Sequence, residues 1–147
     1  MTQTESLREK AIDRFWETVP PVWNYVRSHI RATAIGNFDI TVEQFHVLRY
    51  VRRGTDSMSD LAAAKNISRP AISQAVDVLV KKKLLTRIQS TTDRRCVGLS
   101  LTEEGTALLD TVFAETRAWM NGRMSKLSAD ELETIAKAMT ALKKMME

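Results

Sequence analysis

Between Ser68 and Arg95, side chains able to hydrogen-bond phosphates and base edges recur at short, regular intervals. Arg69, Pro70, Ser73, Gln74 and Asp77 fall at helical spacing behind Ser68. Arginine donates two parallel hydrogen bonds to guanine and glutamine pairs in the same manner with adenine, so Arg69 and Gln74 have the chemistry of base readers. Ser68 and the amides of a helix N-terminus suit phosphate oxygens instead. Lys81, Lys82 and Lys83 follow directly, then a polar, turn-prone stretch holding Thr92, Asp93, Arg94 and Arg95. Lys81 and Lys82 read as phosphate contacts, and an arginine at such a tip can enter a narrow minor groove, where the negative potential is concentrated. Asp93 is out of place against a polyanion unless it orients Arg95 through a salt bridge.

Other chemistries find little support. An enzyme needs a nucleophile with its base, or two convergent acids, and neither constellation is legible. His29 and His46 are isolated, and with one cysteine in 147 residues the soft-ligand count is too low for a metal centre, so no metal and no cofactor is expected. That cysteine, Cys96, begins an outgoing strand with no second thiol nearby to resolve a sulfenate, and it reads as inert. The expectation is a binding protein and not an enzyme.

Charge is distributed in keeping with that. The chain has 22 basic and 18 acidic residues, a formal net charge of +4. Residues 58–102 hold eight basic and three acidic side chains, whereas residues 103–147 hold six and eight. A cationic middle third flanked by near-neutral ends fits a polyanionic partner, although a charge run by itself is usually a solvated face.

The elements that would position these groups follow from periodicity and capping. Phe15, Trp16, Val19, Val22, Trp23, Val26 and Ile30 step at three and four, one face of a helix, which Pro20 and Pro21 should end near Val19 or bend. Gly36 to Asp39 reads as a loop. Thr41 and Gln44 form a capping box for a second helix with Phe45, Leu48 and Val51 on its buried face and Gly54 at its end. Ser57 and Asp60 open a short helix stopping at Asn66, and Ser68 with Pro70 opens the next, running to about Lys82. The β-rich segments around Leu84 to Ile88 and Cys96 to Leu101 read as a hairpin. Thr102 with Glu103 and Glu104 caps a further helix to about Met124, and Ser128 with Glu131 caps the last, whose Leu132, Ile135, Met139, Leu142 and Met146 repeat at three and four.

Two short helices with small Ala62 at the crossing, Asn66 in the turn, and Leu61, Ile67 and Ile72 filling the wedge form a helix-turn-helix pattern; an ordinary helical hairpin with a polar face is the alternative. The hairpin that follows adds a wing. The expected fold class is mainly α with a small β-hairpin wing.

The chain resembles the MarR family of winged-helix regulators. The resemblance is carried by Asp93-x-Arg95 followed by Leu101 to Gly105, by Asn66 to Pro70 with Ile72 and Ser73, and by Thr41, Gln44, Phe45 and Leu48, and it covers about residues 20–146. It implies a single domain over 1–147, with dimerisation helices at 1–35 and 103–147 and a DNA-binding region at 41–102. It further implies an obligate homodimer on a pseudo-palindromic operator, most commonly as a repressor. By that resemblance Arg95 is the minor-groove arginine, Asp93 its orienting partner and Arg69 to Gln74 the major-groove contacts. Asn66 and Lys83 stand where glycine is usual, and Lys83 there requires a left-handed or altered helix cap.

Relatives commonly bind small aromatic anions in a cleft between the dimerisation helices and the winged helix, where Trp23, Arg27, His29, Arg31, Phe38 and Phe45 would supply rings and cations. The competing account makes Trp23 and Phe45 core and leaves the arginines solvated. The Trp16 to Ile30 and Leu132 to Met146 stripes, at opposite ends of the chain, read as the dimer interface. No apolar run approaches the ~18 residues that span a bilayer, and with a lone cysteine the expected location is cytoplasmic.

Overall fold

The computed structural model describes residues 1–89 and 97–147. In chain order it contains α1 (Gln3–Phe38), α2 (Val42–Arg52), α3 (Met58–Lys65), α4 (Arg69–Lys81), β1 (Leu85–Gln89), β2 (Val97–Leu101), α5 (Glu103–Met124), α6 (Ala129–Lys143) and a closing 3-10 turn, Lys144–Met146. They fall into two compact units, Met1–Phe113 and Ala114–Glu147. None of the helices is long and apolar enough to cross a membrane.

α1 is one helix through Pro20 and Pro21, so of the two expected outcomes it does not end near Val19. Proline's fixed φ is itself helical; what the pair removes is two N–H donors, and the segment they would have bonded, around Trp16 and Glu17, is exposed to water that can satisfy the freed carbonyls. Nor is Gly36 to Asp39 a loop. The helix continues to Phe38, which packs on the core, and Asp39 ends it in the left-handed conformation at φ 51°, its N–H donating to the Ala34 carbonyl. Packing holds the last turn in place where local propensity would have released it.

The remaining helix starts agree with their capping residues. The Thr41 and Ser128 hydroxyls accept from the Gln44 and Glu131 amides within complete capping boxes, and Ser57 and Ser68 cap α3 and α4. Inward-facing Phe45, Val47 and Leu48 of α2, Leu61 of α3, Ile72, Val76 and Leu79 of α4, Leu85 of β1, and Leu109 and Val112 of α5 form one core. β1 and β2 pair antiparallel, with Leu85 opposite Leu101 and Gln89 opposite Val97. β2 is tied at its far side, where the Leu99 N–H donates to the Asp56 carbonyl at 2.8 Å.

One junction joins α4, the hairpin and α5. Lys83 turns the chain out of α4 at φ 60°, a left-handed residue as the missing glycine required. The Leu84 N–H returns to the Leu79 carbonyl at 2.9 Å, and the Leu84 carbonyl accepts from the Thr102 N–H at 3.2 Å. The Thr102 hydroxyl donates to the Lys83 carbonyl at 2.7 Å and accepts from the Gly105 N–H at 2.9 Å. A Cβ on Gly105 would lie 2.2 Å from the Leu84 carbonyl oxygen, which is backbone and has no rotamer to move. Gly105→Ala is therefore expected to destabilise the fold by about 3 kcal/mol, at the upper end of overpacking costs, as measured by urea unfolding. A loss below about 0.5 kcal/mol, the range of ordinary surface changes, would mean that the junction is not tight.

Candidate nucleic-acid interface

α3 and α4 cross through Leu61, Ala62 and Ile72, all buried. The turn between them depends on Asn66, left-handed at φ 52°, with the Ile67 N–H donating back to the Ala62 carbonyl at 3.1 Å. Asparagine visits this region at lower cost than most residues because its short polar side chain finds local hydrogen bonds. Ile67 corrects the expected wedge. It is 40% exposed, because it lies in the two-residue turn before the Ser68 cap, outside both helices.

Since Ile72, Val76 and Leu79 face the core, α4 turns its other side outward. Arg69, Pro70, Gln74, Asp77 and Lys81 are exposed and Ser73 is half-buried. The expected readers thus share one open face with helix N-terminal amides at its start. Ser68 is more committed than expected, since its oxygen accepts from the Ala71 N–H at 3.3 Å, which leaves its own proton to donate outward. The three lysines are not equivalent either. Lys81 and Lys83 are exposed, but the Lys82 ammonium donates to the Asp39 main-chain carbonyl and lies 3.6 Å from the Asp39 carboxylate, tying the end of α4 to the end of α1. Asp77 forms a salt bridge with Arg87 of β1. Asp93, Arg94, Arg95 and Cys96 lie outside the described residues.

A pocket of about 210 Å³ opens between α1 and α2, lined by Trp23, His46, Arg49, Tyr50 and Arg53. Of the six residues expected around a ligand, it contains only Trp23. Phe45 is core, its ring centroid 5.9 Å from that of Phe113, and Phe38 is half-buried against the same core. Arg27 pairs with Glu43 at 3.5 Å, His29 is half-buried and Arg31 exposed, none of them lining the pocket. The other lining residues lie at i, i+3, i+4 and i+7 along α2 and its C-terminal cap Arg53, a polar stripe that the sequence carries beside the apolar Phe45, Leu48, Val51 stripe.

The pocket's electrostatics favour an anion. Burial, followed by the charges of Arg53 and Arg52, pushes the Arg49 guanidinium below the ordinary arginine range. It still carries its charge, held 5.3 Å from the Phe113 ring, and its Nε is buried with no hydrogen-bond partner among the described residues. Arg52 is neutralised by Asp110 at 2.7 Å, whereas Arg49 and Arg53 have no ion pair among the described residues. Burial also lowers His46, reinforced by Lys65 and Arg49 and opposed by Glu43, so the imidazole is held neutral. Beside it the Lys65 side chain, only 9% exposed, bonds Glu43 at 2.9 Å and lies 5.8 Å from the Tyr50 ring. Arg27 of α1, Glu43 of α2 and Lys65 of α3 thus form one ionic chain. Among the described residues no group of three or more His, Cys, Asp or Glu side chains could hold a metal ion.

A family model described as the MarR family matches residues 38–95. The chain is 31% identical over 111 residues to the uncharacterized HTH-type transcriptional regulator YhbI of Bacillus subtilis, a match covering 75% of this chain and 72% of that protein. It is 32% identical over 94 residues to the HTH-type transcriptional repressor MdtR of the same organism, covering 63% and 61%. Among solved structures it is similar to Streptococcus pneumoniae FabT in complex with DNA, with TM-score 0.74 over 92% of this chain and 96% of that one; at 20% identity this is a likeness of fold.

The Lys65 hydrogen bond holds the Glu43 carboxyl below its ordinary value of 4.5, with the Lys65, His46 and Arg27 charges acting in the same direction and partial burial against it. A lowered folded pKa means stability that is fully present above the ordinary value and lost as pH falls through the folded one. Glu43→Gln should remove that acid-labile part and leave the buried Lys65 ammonium without its carboxylate. The expected cost at neutral pH is about 1 kcal/mol, because the half-exposed carboxylate is screened by water. Equilibrium unfolding at several pH values checks it. Wild type and variant should converge toward low pH, and a constant gap would mean that the pair is not the cause.

Proposed function

The chain belongs to the MarR family of DNA-binding transcriptional regulators, and from that premise we propose that it is a repressor acting as a homodimer on a pseudo-palindromic operator, released by a small aromatic anion. The observation that carries the reading is the outward face of α4, where Arg69, Ser73 and Gln74 stand together on a rigid helix whose opposite side is core. In this reading they enter the major groove, Ser68 and Lys81 hold phosphates, and Arg95 oriented by Asp93, with Arg94 beside it, reaches the minor groove. Lys82 contributes indirectly through Asp39. Repression is supported by the relative MdtR, itself a repressor.

Dimerisation is supported by apolar surface that one chain leaves uncovered. Trp16 of α1 is 67% exposed, Met139 is 53% exposed, and α6 has no buried residue at all. The domain is accordingly read as dimerisation helices at 1–35 and 103–147 around a DNA-binding region at 41–102.

Base readers and phosphate contacts differ in kind. Gln74→Ala should cost about 1–3 kcal/mol on the operator and little on unrelated duplex DNA, whereas Lys81→Ala should weaken both alike and lower the salt slope by about 1. Fluorescence anisotropy on both duplexes over a salt series decides it. Equal losses for Gln74→Ala on the two DNAs would take α4 off the reading surface.

For the effector, the Arg49 and Arg53 cations beside the Trp23 indole and Tyr50 phenol suit an aromatic carboxylate. Binding one would add a negative charge near His46 and raise its depressed pKa, so proton uptake should accompany binding. Salicylate is therefore expected to quench tryptophan fluorescence, to bind more tightly at about pH 6 than at about pH 8, and to weaken operator binding. Arg49→Gln should reduce its affinity about tenfold, the loss of one charged hydrogen bond. Quenching with unchanged operator affinity would make the pocket a binding site without a regulatory role.

A further inference from the structure

Asp77 carries the one negative charge on the exposed face of α4, a helical turn beyond Ser73 and Gln74. A free carboxylate there would repel the phosphate backbone. It is not free, because the Arg87 guanidinium of β1 donates to it. The pair joins the helix that carries the expected base readers to the hairpin that forms the wing.

The two strands of the hairpin are held differently. Leu85 buries the start of β1, while β2 is secured farther along by buried Leu99, which lies opposite Arg87, and by the Leu99 bond to Asp56. On β1 after Leu85, Thr86, Arg87, Ile88 and Gln89 are all exposed, and Ile88, the one large apolar side chain among them, is 53% exposed. Beyond Leu85, β1 itself therefore has no buried apolar side chain to fix it against α4. Among the described residues, Asp77 with Arg87 is the single ion pair from the hairpin to another element.

We infer that Asp77 and Arg87 are positioning residues for DNA recognition: their salt bridge sets the wing against α4 and neutralises the carboxylate on the reading face, so that sequence discrimination depends on two side chains that touch no base. The inference rests on α4 being the reading helix. Both side chains are about half exposed, so the pair contributes little to stability. Its removal loosens the geometry and leaves the fold standing.

The test uses the full chain, a duplex selected from a randomised pool by repeated binding to the wild-type protein, and a scrambled duplex of the same composition, followed by anisotropy at several salt concentrations. Asp77→Ala and Arg87→Ala are each expected to reduce the preference for the selected duplex by about tenfold, at unchanged melting temperature, with the double variant no worse than either single one. Arg87→Lys, which keeps the charge, should recover part of the preference.

Charge counting alone expects something else. Losing Asp77 would then tighten binding to both duplexes, and losing Arg87 would weaken both equally and lower the salt slope by about 1. That pattern overturns the inference. Gln74→Ala separates the two levels. If it loses the preference while Asp77→Ala keeps it, the positioning role alone fails; if it keeps the preference, α4 is not the reading helix and both readings fail. Should Asp77→Ala lower the melting temperature, the isosteric Asp77→Asn carries the same comparison.

Discussion

The backbone of Leu84 is where three elements meet at van der Waals distance or closer. Its N–H closes the end of α4, its carbonyl receives the Thr102 N–H, and α5 passes so near that only glycine fits at position 105. Because all of these are backbone groups, no rotamer change can relax the junction. The direction in which α4 ends, the plane in which the hairpin leaves and the entry of α5 are consequently one constraint. Lys83 accepts a left-handed conformation there at a cost of about 1–2 kcal/mol, an indication that the surrounding contacts over-determine the turn.

Around this rigid junction the chain spends much of its positive charge internally. Lys65 is engaged with Glu43, Lys82 with Asp39 and Arg87 with Asp77. Each pair crosses between elements: α3 to α2, α4 to the end of α1, and β1 to α4. The cationic middle third is thus partly scaffold. What it leaves outward on α4 is a small set, Arg69 and Lys81, framed by neutral Ser73 and Gln74. A surface that is less uniformly basic than the composition implies relies more on hydrogen-bond geometry for its selectivity and less on bulk attraction.

α2 is shared by both regions. Its apolar stripe forms the centre of the core, while His46, Arg49 and Tyr50 on another side, with the C-cap Arg53, line the pocket. Tyr50 lines that pocket, and the ammonium of Lys65, the last residue of α3, lies 5.8 Å from its ring, so pocket and helix-turn-helix touch at this contact.

Local chemistry was legible wherever one residue type decides the outcome. The capping residues Thr41, Ser57, Ser68 and Ser128 marked helix starts, the tight turn singled out Asn66, and the switch from helical to β-rich pattern after Leu84 located the hairpin; the left-handed Lys83 was expected only through the family resemblance. The outward face of α4 followed from helical period alone, since burying Ile72, Val76 and Leu79 leaves only one side for Arg69 and Gln74. Tertiary structure decided what depends on neighbours distant in sequence. Pro20 and Pro21 sit in a helix that water and the flanking turns sustain, and Phe38 prolongs α1 by packing on a core that no local window contains. The pocket fell to α2 because Phe45 was consumed by Phe113, sixty-eight residues away. Asp77 on the outward face of α4 and Lys82 as a phosphate contact showed no sign of their partners in the sequence; folding brought Arg87 and Asp39 to them. Periodicity reports which side of a helix is buried, but which charge meets which is settled only when the elements pack.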